Sequence, residues 1–137
     1  MAGKREIRTA ANKYMKLMGF AHPWRVFVNF QDGTEEPLDK DKDPHATAEI
    51  ESPYKVAWLT FDPKHVAWKL WEGGKVDSGV RHELAHVTVS PLARVVEHLL
   101  TLVADEQTRK VLERMAEDAE DEVVTSIESM PVWKEVE

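Results

Sequence analysis

Residues 82–86 read His82-Glu83-Leu84-Ala85-His86, and this stretch decides how the rest of the chain is interpreted. Residues four apart on an α-helix lie on the same face, one turn above each other. His82 and His86 can therefore direct two imidazoles at one metal ion. Glu83 is rotated by about 100° around the helix from His82, which places a carboxylate beside a metal-bound water without making it a ligand.

A chance occurrence of this pattern is the alternative interpretation. With six His and 16 Glu among 137 residues, composition alone predicts about 0.03 such stretches. Four residues in and around the motif are uncharged, as expected for a helix with a buried face: Val80, Leu84, Ala85 and Val87. The pattern therefore favours a metal site over a surface helix that carries two unrelated histidines.

The length and composition predict one soluble globular domain covering residues 1–137, because 42% of the residues are hydrophobic and 31% are charged. A net charge of −7 without a basic block argues against nucleic acid as a partner. The chain has no cysteine, so any metal must be bound by His and carboxylate side chains. We expect no secretory signal, no membrane span and a cytoplasmic location, because the N-terminal segment is polar and no apolar run approaches 18 residues.

The first half of the chain predicts a helix followed by a small sheet. Residues 5–18 have helical spacing and Gly19 is placed to end them, so 1–19 is the N-terminal helical segment. Within the predicted sheet region 24–71, residues 24–30 alternate with Trp24, Val26, Val28 and Phe30 on one face. Residues 46–51 and 54–62 are two further runs and predict an antiparallel hairpin. Residues 65–71 fit either a short strand or a helical turn.

The second half, residues 77–130, predicts helices that carry the chemistry. Asp77 or Ser78 is the expected N-cap of the motif helix, and Pro91 is expected to end or kink it near Val89. A helix resumes over residues 92–102, and Asp105 is the expected cap of a long last helix that ends near Met130. A helix, a small sheet and then helices predict an α+β domain.

A catalytic zinc ion needs a third protein ligand, and the last helix is the expected source of it. One elongated version of the motif has Gly and His three and six residues after the second His, but Val89 and Leu92 stand there. We predict Glu122, which lies at the edge of the apolar stripe of this helix, because a carboxylate directed at a core is costly unless it is paired or binds a metal. The stripe comprises Leu112, Met115, Ala116, Ala119, Val123, Ile127 and Met130.

Other residues remain alternatives for that ligand. Asp118 or Asp121 are rivals on the last helix, and Glu97 or His98 are rivals on the preceding one. In the predicted phasing, Asp118 is borderline, and four other acidic residues point mostly to solvent: Glu113, Glu117, Glu120 and Asp121. A wholly solvated acidic helix face is the alternative to every assignment on this helix.

On the motif and the downstream glutamate, residues 77–130 resemble the zincin metallopeptidases of the gluzincin type. They look most like the single-domain minigluzincins and the compact H-E-x-x-H proteins of phage and prokaryotic genomes. The resemblance implies a zincin-like fold, with a small mixed or antiparallel sheet packed on the motif helix. An edge strand, for which residues 54–62 are our candidate, would receive an extended peptide. For a phage-encoded chain, the expected location is the host cytoplasm.

The resemblance also implies a function and roles for residues. It implies a zinc-dependent metallopeptidase in which His82, His86 and Glu122 bind Zn2+ and Glu83 is the general base, with a peptide or protein as substrate. Tyr54, His98 and Arg81 remain alternatives for the donor that stabilises the oxyanion. The competing hypotheses are a non-catalytic metal-binding or interaction protein of the same fold, and a helical–β protein in which the motif is accidental. The sequence predicts no oligomeric state.

Overall fold

The structure is a computed structural model that describes residues 3–20, 24–31, 46–63 and 75–135. These residues form three α-helices and three strands. In chain order the elements are α1 (Lys4–Leu17), β1 (Arg25–Phe30), β2 (Ala46–Glu51), β3 (Val56–Phe61), α2 (Lys75–Leu100) and α3 (Glu106–Glu128). Short 3-10 helices, Ser52–Tyr54 and Pro131–Glu135, follow β2 and α3. The predicted α+β class is therefore confirmed. The predicted element at residues 65–71 lies outside the described residues.

The lengths and hydropathies of the helices bear on whether any of them could span a membrane. Within the described part of the chain, none of them is both long enough and apolar enough to cross a bilayer.

The three strands form one mixed sheet in the order β1-β3-β2. β1 runs parallel to β3, with Arg25 opposite Val56, and β2 runs antiparallel to β3, with Ala46 opposite Phe61. The predicted antiparallel hairpin is confirmed as the β2–β3 pair. Lys55, just before β3, has a left-handed φ of 53°, which lets the chain reverse between the two strands.

The prediction that residues 54–62 form an edge strand is wrong. β3 is the central strand, since β1 and β2 pair with its two sides. Val56 and Ala57 point to opposite faces of the sheet and both are buried, which suits a strand in the middle of a sheet. Among the described strands, β2 is the edge that packs against α2.

The core lies between α1, the sheet and the first half of α2. One face of α1 is buried through Ile7, Ala10, Ala11 and Tyr14. It packs against strand residues such as Leu59 and Phe61 and against Val80, Leu84 and Val87 of α2. The predicted inward face of β1 is confirmed, because Trp24, Val26, Val28 and Phe30 all pack against this cluster.

Gly19 ends α1 as predicted. Its φ of +82° is the left-handed conformation that glycine adopts without steric cost. The amide of Phe20 donates to the carbonyl of Met15 at 2.8 Å, which closes the helix end in a Schellman arrangement.

α2 is one continuous helix, so the prediction that it ends near Val89 is wrong. Pro91 lies inside the helix and lacks the N–H that would bond the carbonyl of Val87. The buried hydroxyl of Ser90 donates to that carbonyl at 2.7 Å instead. The lost backbone hydrogen bond is thus replaced by a side chain, and the helix continues to Leu100.

The predicted cap of α2 is wrong as well. The helix begins at Lys75, which places Asp77 in its first turn. The Asp77 carboxylate accepts a hydrogen bond from the Tyr14 hydroxyl at 2.8 Å and lies 3.6 Å from the Lys13 ammonium. Asp77 therefore links α2 to α1.

Asp105 caps α3 as predicted. Its carboxylate accepts a hydrogen bond from the amide of Thr108 at 3.2 Å. After α3, Trp133 packs edge-on against Tyr14 with ring centroids 5.6 Å apart, and its indole donates to the carbonyl of Ile127 at 2.7 Å. The end of α3 is thereby packed against α1.

Candidate metal centre

The two histidines of the motif lie together on α2. The ring centroids of His82 and His86 are 5.1 Å apart and the rings are inclined at 74°. Both side chains are partly buried, between the core below and α3 beside them. The spacing of four residues thus brings the imidazoles to one place, as the helical interpretation of the sequence requires.

Two carboxylates of α3 face these imidazoles. Oε1 of Glu128 lies 3.3 Å from Nδ1 of His82, and Oε1 of Glu120 lies 3.4 Å from Nδ1 of His86. Eight residues are close to two helical turns, so Glu120 and Glu128 lie on one face of α3, with the buried Val124 between them. The pairing order shows that α3 runs antiparallel to α2.

Glu83 is the buried carboxylate of the motif. Its side chain is 6% exposed. Burial is the main cause that raises the pKa of Glu83 to about 7, with a further contribution from the negative charge of Glu128 and an opposing one from His86. A carboxyl group with a pKa near neutrality exchanges protons at the pH of the cell, which is the property of a general base.

Burial also affects the first histidine. Desolvation, followed by the charge of His86, lowers the pKa of His82 below its ordinary value, while Glu128 and Asp121 act in the opposite direction. The lowered pKa of His82 favours the neutral imidazole. The neutral imidazole is the form that binds metals.

Glu122, the third ligand predicted from sequence, lies elsewhere. Its side chain is exposed, and its backbone carbonyl accepts a hydrogen bond from the Ser126 hydroxyl at 2.8 Å. In the described residues, Glu120 and Glu128 are the carboxylates in contact with the two imidazoles.

The rival ligands are also exposed. Asp118 and Asp121 are exposed on α3, although the charge of Asp121 still acts on His82. Glu97 and His98 are exposed on α2, beyond Pro91.

The expectation that Glu120 points mostly to solvent is wrong, because the face of α3 that meets α2 contains Glu120, Val124 and Glu128. A signal for this face does exist in the sequence. These three residues follow one another at intervals of four, so a buried Val124 brings both glutamates to the same side. The longer apolar stripe through Ala119 and Val123 predicts a different face of α3 as the buried one.

Arg81 has a structural environment. It is 5% exposed, and its guanidinium donates to the Tyr14 hydroxyl and to the backbone carbonyl of Glu128, each at 3.0 Å. Burial and the Asp77 carboxylate raise the pKa of Tyr14 to about 12 against the opposing effect of Arg81. Arg81 therefore anchors the backbone of Glu128 beside His82.

A cavity of about 520 Å3 opens beside the second His–Glu pair. It lies between the end of β2, the 3-10 helix and α2, and Glu120 lines one side of it. Tyr54, which is 73% exposed, lines it as well, together with Ile50 and Ser90. The cavity provides space for a ligand next to the edge strand.

The donors have the chemistry of a zinc site, with two imidazoles and nearby carboxylates. Among the described residues, no group of three or more His, Asp or Glu side chains is arranged to hold a metal ion. The imidazoles are instead engaged in two separate His–Glu pairs. A metal ion held by the two imidazoles and by Glu120 or Glu128 would need that carboxylate to move from its imidazole to the ion.

The chain was compared with known proteins in three ways. No family model, no curated protein and no solved structure matches it.

Proposed function

We propose that this chain is a zinc-dependent peptidase whose centre lies between α2 and α3. The observation that carries the proposal is the arrangement of His82, His86 and the buried Glu83 on α2 opposite two carboxylates of α3. This arrangement brings two imidazoles, carboxylates and a proton acceptor to one place in an α+β domain.

Glu128 is the proposed third ligand, in place of the predicted Glu122. The side chain of Glu128 is 18% exposed, against 33% for Glu120. Its charge acts on both His82 and Glu83, so it lies close to two members of the motif. Glu120 is assigned a different role, which is to accept a hydrogen bond from Nδ1 of His86 and orient its ring.

Glu83 is the proposed general base. Its buried carboxylate takes a proton from the attacking water and passes it to the leaving amine of the peptide. Bound zinc supplies Lewis acidity, which makes the water more acidic and polarises the scissile carbonyl. The near-neutral pKa of Glu83 supports this role, because a base of that strength both accepts and releases a proton at pH 7.

β2 is the proposed docking strand for the substrate. It is an edge of the described sheet and packs against the motif helix, and the 520 Å3 cavity adjoins its last residues, Ile50 and Glu51. An extended peptide that pairs with this edge would lie across α2 beside Glu120.

The first experiment measures zinc per chain after purification without chelator. We expect about one zinc in the wild type, little in His82→Ala and Glu128→Gln, and unchanged content in Glu122→Gln. We expect Glu120→Gln to bind zinc more weakly than the wild type but to retain part of its zinc content. If Glu128→Gln retains zinc and Glu122→Gln loses it, the third zinc ligand is Glu122 and not Glu128.

The second experiment tests the peptidase activity itself. A mixture of peptides is incubated with zinc-loaded wild type and with zinc-loaded Glu83→Gln, and cleavage products are identified by mass spectrometry. We expect products from the wild type only. Zinc binding without cleavage by either protein would favour the non-catalytic metal-binding protein, and absence of zinc binding would leave the motif as an accident of sequence.

A further inference from the structure

Two cavities adjoin each other beside the second His–Glu pair. One is the cavity of about 520 Å3 at the end of β2, and the other is a groove of about 760 Å3 between α2 and α3. Ala93, Glu97 and Glu120 line both of them. Because Glu120 also lies 3.4 Å from Nδ1 of His86, both cavities border the proposed catalytic centre.

Carboxylates outnumber cations along the walls of these cavities. Among the described lining residues there are two arginines, Arg94 and Arg109. Arg109 lies 3.8 Å from Glu113 in the same groove, so these two charges largely offset each other. The glutamates that line one cavity or both are Glu51, Glu97, Glu113, Glu117 and Glu120. The walls are therefore negatively charged, and a cationic ligand complements them.

The smaller cavity combines this charge with apolar surface. Ile50 and Pro53 provide aliphatic atoms, and Tyr54, which is 73% exposed, provides an aromatic ring. A lysine or arginine side chain has an aliphatic stem and a cationic head. The head is attracted both to carboxylates and to the face of an aromatic ring. The lining of this cavity thus fits a basic side chain better than an acidic or a wholly apolar one.

The smaller cavity also lies where side chains of a substrate are expected. It adjoins Ile50 and Glu51, the last residues of β2, which is the proposed docking strand. Alternate side chains of an extended peptide point to the same side. A peptide paired with β2 would therefore direct every second side chain towards α2, where Glu97 and Glu120 line the cavity.

We propose that the substrates of this centre are peptides that contain lysine or arginine, and that this basic side chain occupies the 520 Å3 cavity lined by Tyr54, Glu51, Glu97 and Glu120. The inference rests on the proposed peptidase function, since that function makes the bound peptide a substrate. Glu97 is the specificity-determining residue, because it lines both cavities and belongs neither to the motif nor to the two His–Glu pairs.

The test is peptide binding in the presence of chelator, where zinc and cleavage play no part. Short fluorescein-labelled peptides of alanine and threonine carry lysine at each position in turn, or norleucine, which has the same stem without the ammonium group. An exposed ion pair strengthens an interaction by a factor of up to about 5. With several carboxylates in the cavity, we expect the best lysine peptide to bind about tenfold more tightly than its norleucine counterpart in fluorescence anisotropy at low salt, and less so at high salt. Equal binding of every pair of peptides, or no binding, would overturn the proposal.

Variants of Glu97 locate the preference in the cavity. Glu97→Gln should reduce the preference for lysine about threefold, and Glu97→Lys should abolish it. Glu106→Gln is the matched control, because it changes the net charge by the same amount at an exposed glutamate of α3 that lines neither cavity. Equal losses in Glu97→Gln and Glu106→Gln would show attraction to the overall charge of the chain and would overturn the assignment.

A cleavage assay separates this inference from the proposed function. If zinc-loaded wild type cleaves the norleucine peptides as well as the lysine peptides, this inference is overturned while the peptidase function stands. If the lysine peptides bind preferentially and Glu97→Gln weakens them, but zinc-loaded protein cleaves none of them, the cavity is a site for basic peptides and the peptidase function fails.

Discussion

The carboxylate of Glu128 lies 3.3 Å from the imidazole of His82, and the guanidinium of Arg81 holds the backbone carbonyl of the same glutamate at 3.0 Å. Glu128 thus meets α2 through both its side chain and its main chain. The last turn of α3 is therefore positioned by two adjacent residues of α2.

This relationship predicts coupled titration at the centre. In metal-free protein, Glu128→Gln removes a negative charge that raises the pKa of His82 and that of Glu83. We therefore expect both pKa values to fall in this variant, measured by NMR as a function of pH. Glu122→Gln is the control and should change neither pKa. A rise in either pKa in Glu128→Gln would contradict the placement of Glu128.

Glu83 should destabilise the metal-free protein at neutral and alkaline pH. Its pKa is about 7 in the folded chain against an ordinary value of 4.5, so between these values the folded state binds a proton that the unfolded state has lost. Stability therefore falls as pH rises through this window, by about 3 kcal/mol in total at 1.36 kcal/mol per unit of pKa.

Glu83→Gln should abolish that dependence. The free energy of unfolding of Glu83→Gln minus that of wild type should be larger at pH 8 than at pH 4, measured by urea denaturation in the presence of chelator. The opposing effect of His82, whose pKa is lowered, is present in both proteins and cancels in the difference. A difference between the two proteins that stays constant from pH 4 to pH 8 would show that Glu83 is not buried as described.

Tyr14 joins α1 to α2 through its hydroxyl, which donates to Asp77 and accepts from Arg81. Tyr14→Phe leaves a buried guanidinium and a carboxylate each without one partner, so we expect a loss of about 1–3 kcal/mol in the free energy of unfolding. Tyr54→Phe is the matched control, because Tyr54 is 73% exposed and the same change should cost little there. Equal effects of the two substitutions in chemical denaturation would contradict the buried network.

Ser90 should matter because of the proline that follows it. Ser90→Ala removes the hydroxyl that bonds the carbonyl of Val87, and a buried carbonyl without a partner costs about 1–3 kcal/mol. In the background Pro91→Ala, the amide of residue 91 can bond that carbonyl, so the cost of Ser90→Ala should be smaller. Ser126→Ala, at an exposed serine that bonds the carbonyl of Glu122, is the control. The free energies of unfolding of wild type, Ser90→Ala, Pro91→Ala and the double variant form a double-mutant cycle. Additive effects in this cycle would show that the Ser90 hydroxyl does not replace the backbone hydrogen bond lost at Pro91.

Residue periodicity and turn residues correctly predicted features that depend on the local sequence alone. The alternation of Trp24, Val26, Val28 and Phe30 identified the buried face of β1, and Gly19 identified the end of α1. These predictions succeed because the burial of one face and the need for a left-handed residue are visible in the order of residues itself.

Two predictions were wrong, namely the end of α2 at Pro91 and the edge position of β3. Both depend on three-dimensional contacts that the residue pattern does not show. Pro91 predicts a break because its missing N–H is visible in the sequence, whereas the compensation by Ser90 depends on a side-chain rotamer. The central position of β3 depends on which strands pair with it. The apolar residues on both of its faces are the sequence feature that indicates this position.

The phasing of α3 failed for a different reason. Apolar residues surround much of this helix, since Leu112, Met115 and Val123 are exposed while Val124 is buried. A single amphipathic stripe predicts that the larger set of apolar residues meets α2. Leu112, Met115 and Val123 of that set are instead exposed, and α3 meets the two histidines through Glu120 and Glu128.

The hydroxyl of Ser90 also determines the relation between the two ends of α2. Because the helix continues through Pro91, His86 and Leu99 are joined by an uninterrupted helix, about 20 Å apart at 1.5 Å per residue. The distance between the histidine pair and the far end of α2 is therefore set by helix geometry and not by the conformation of a hinge.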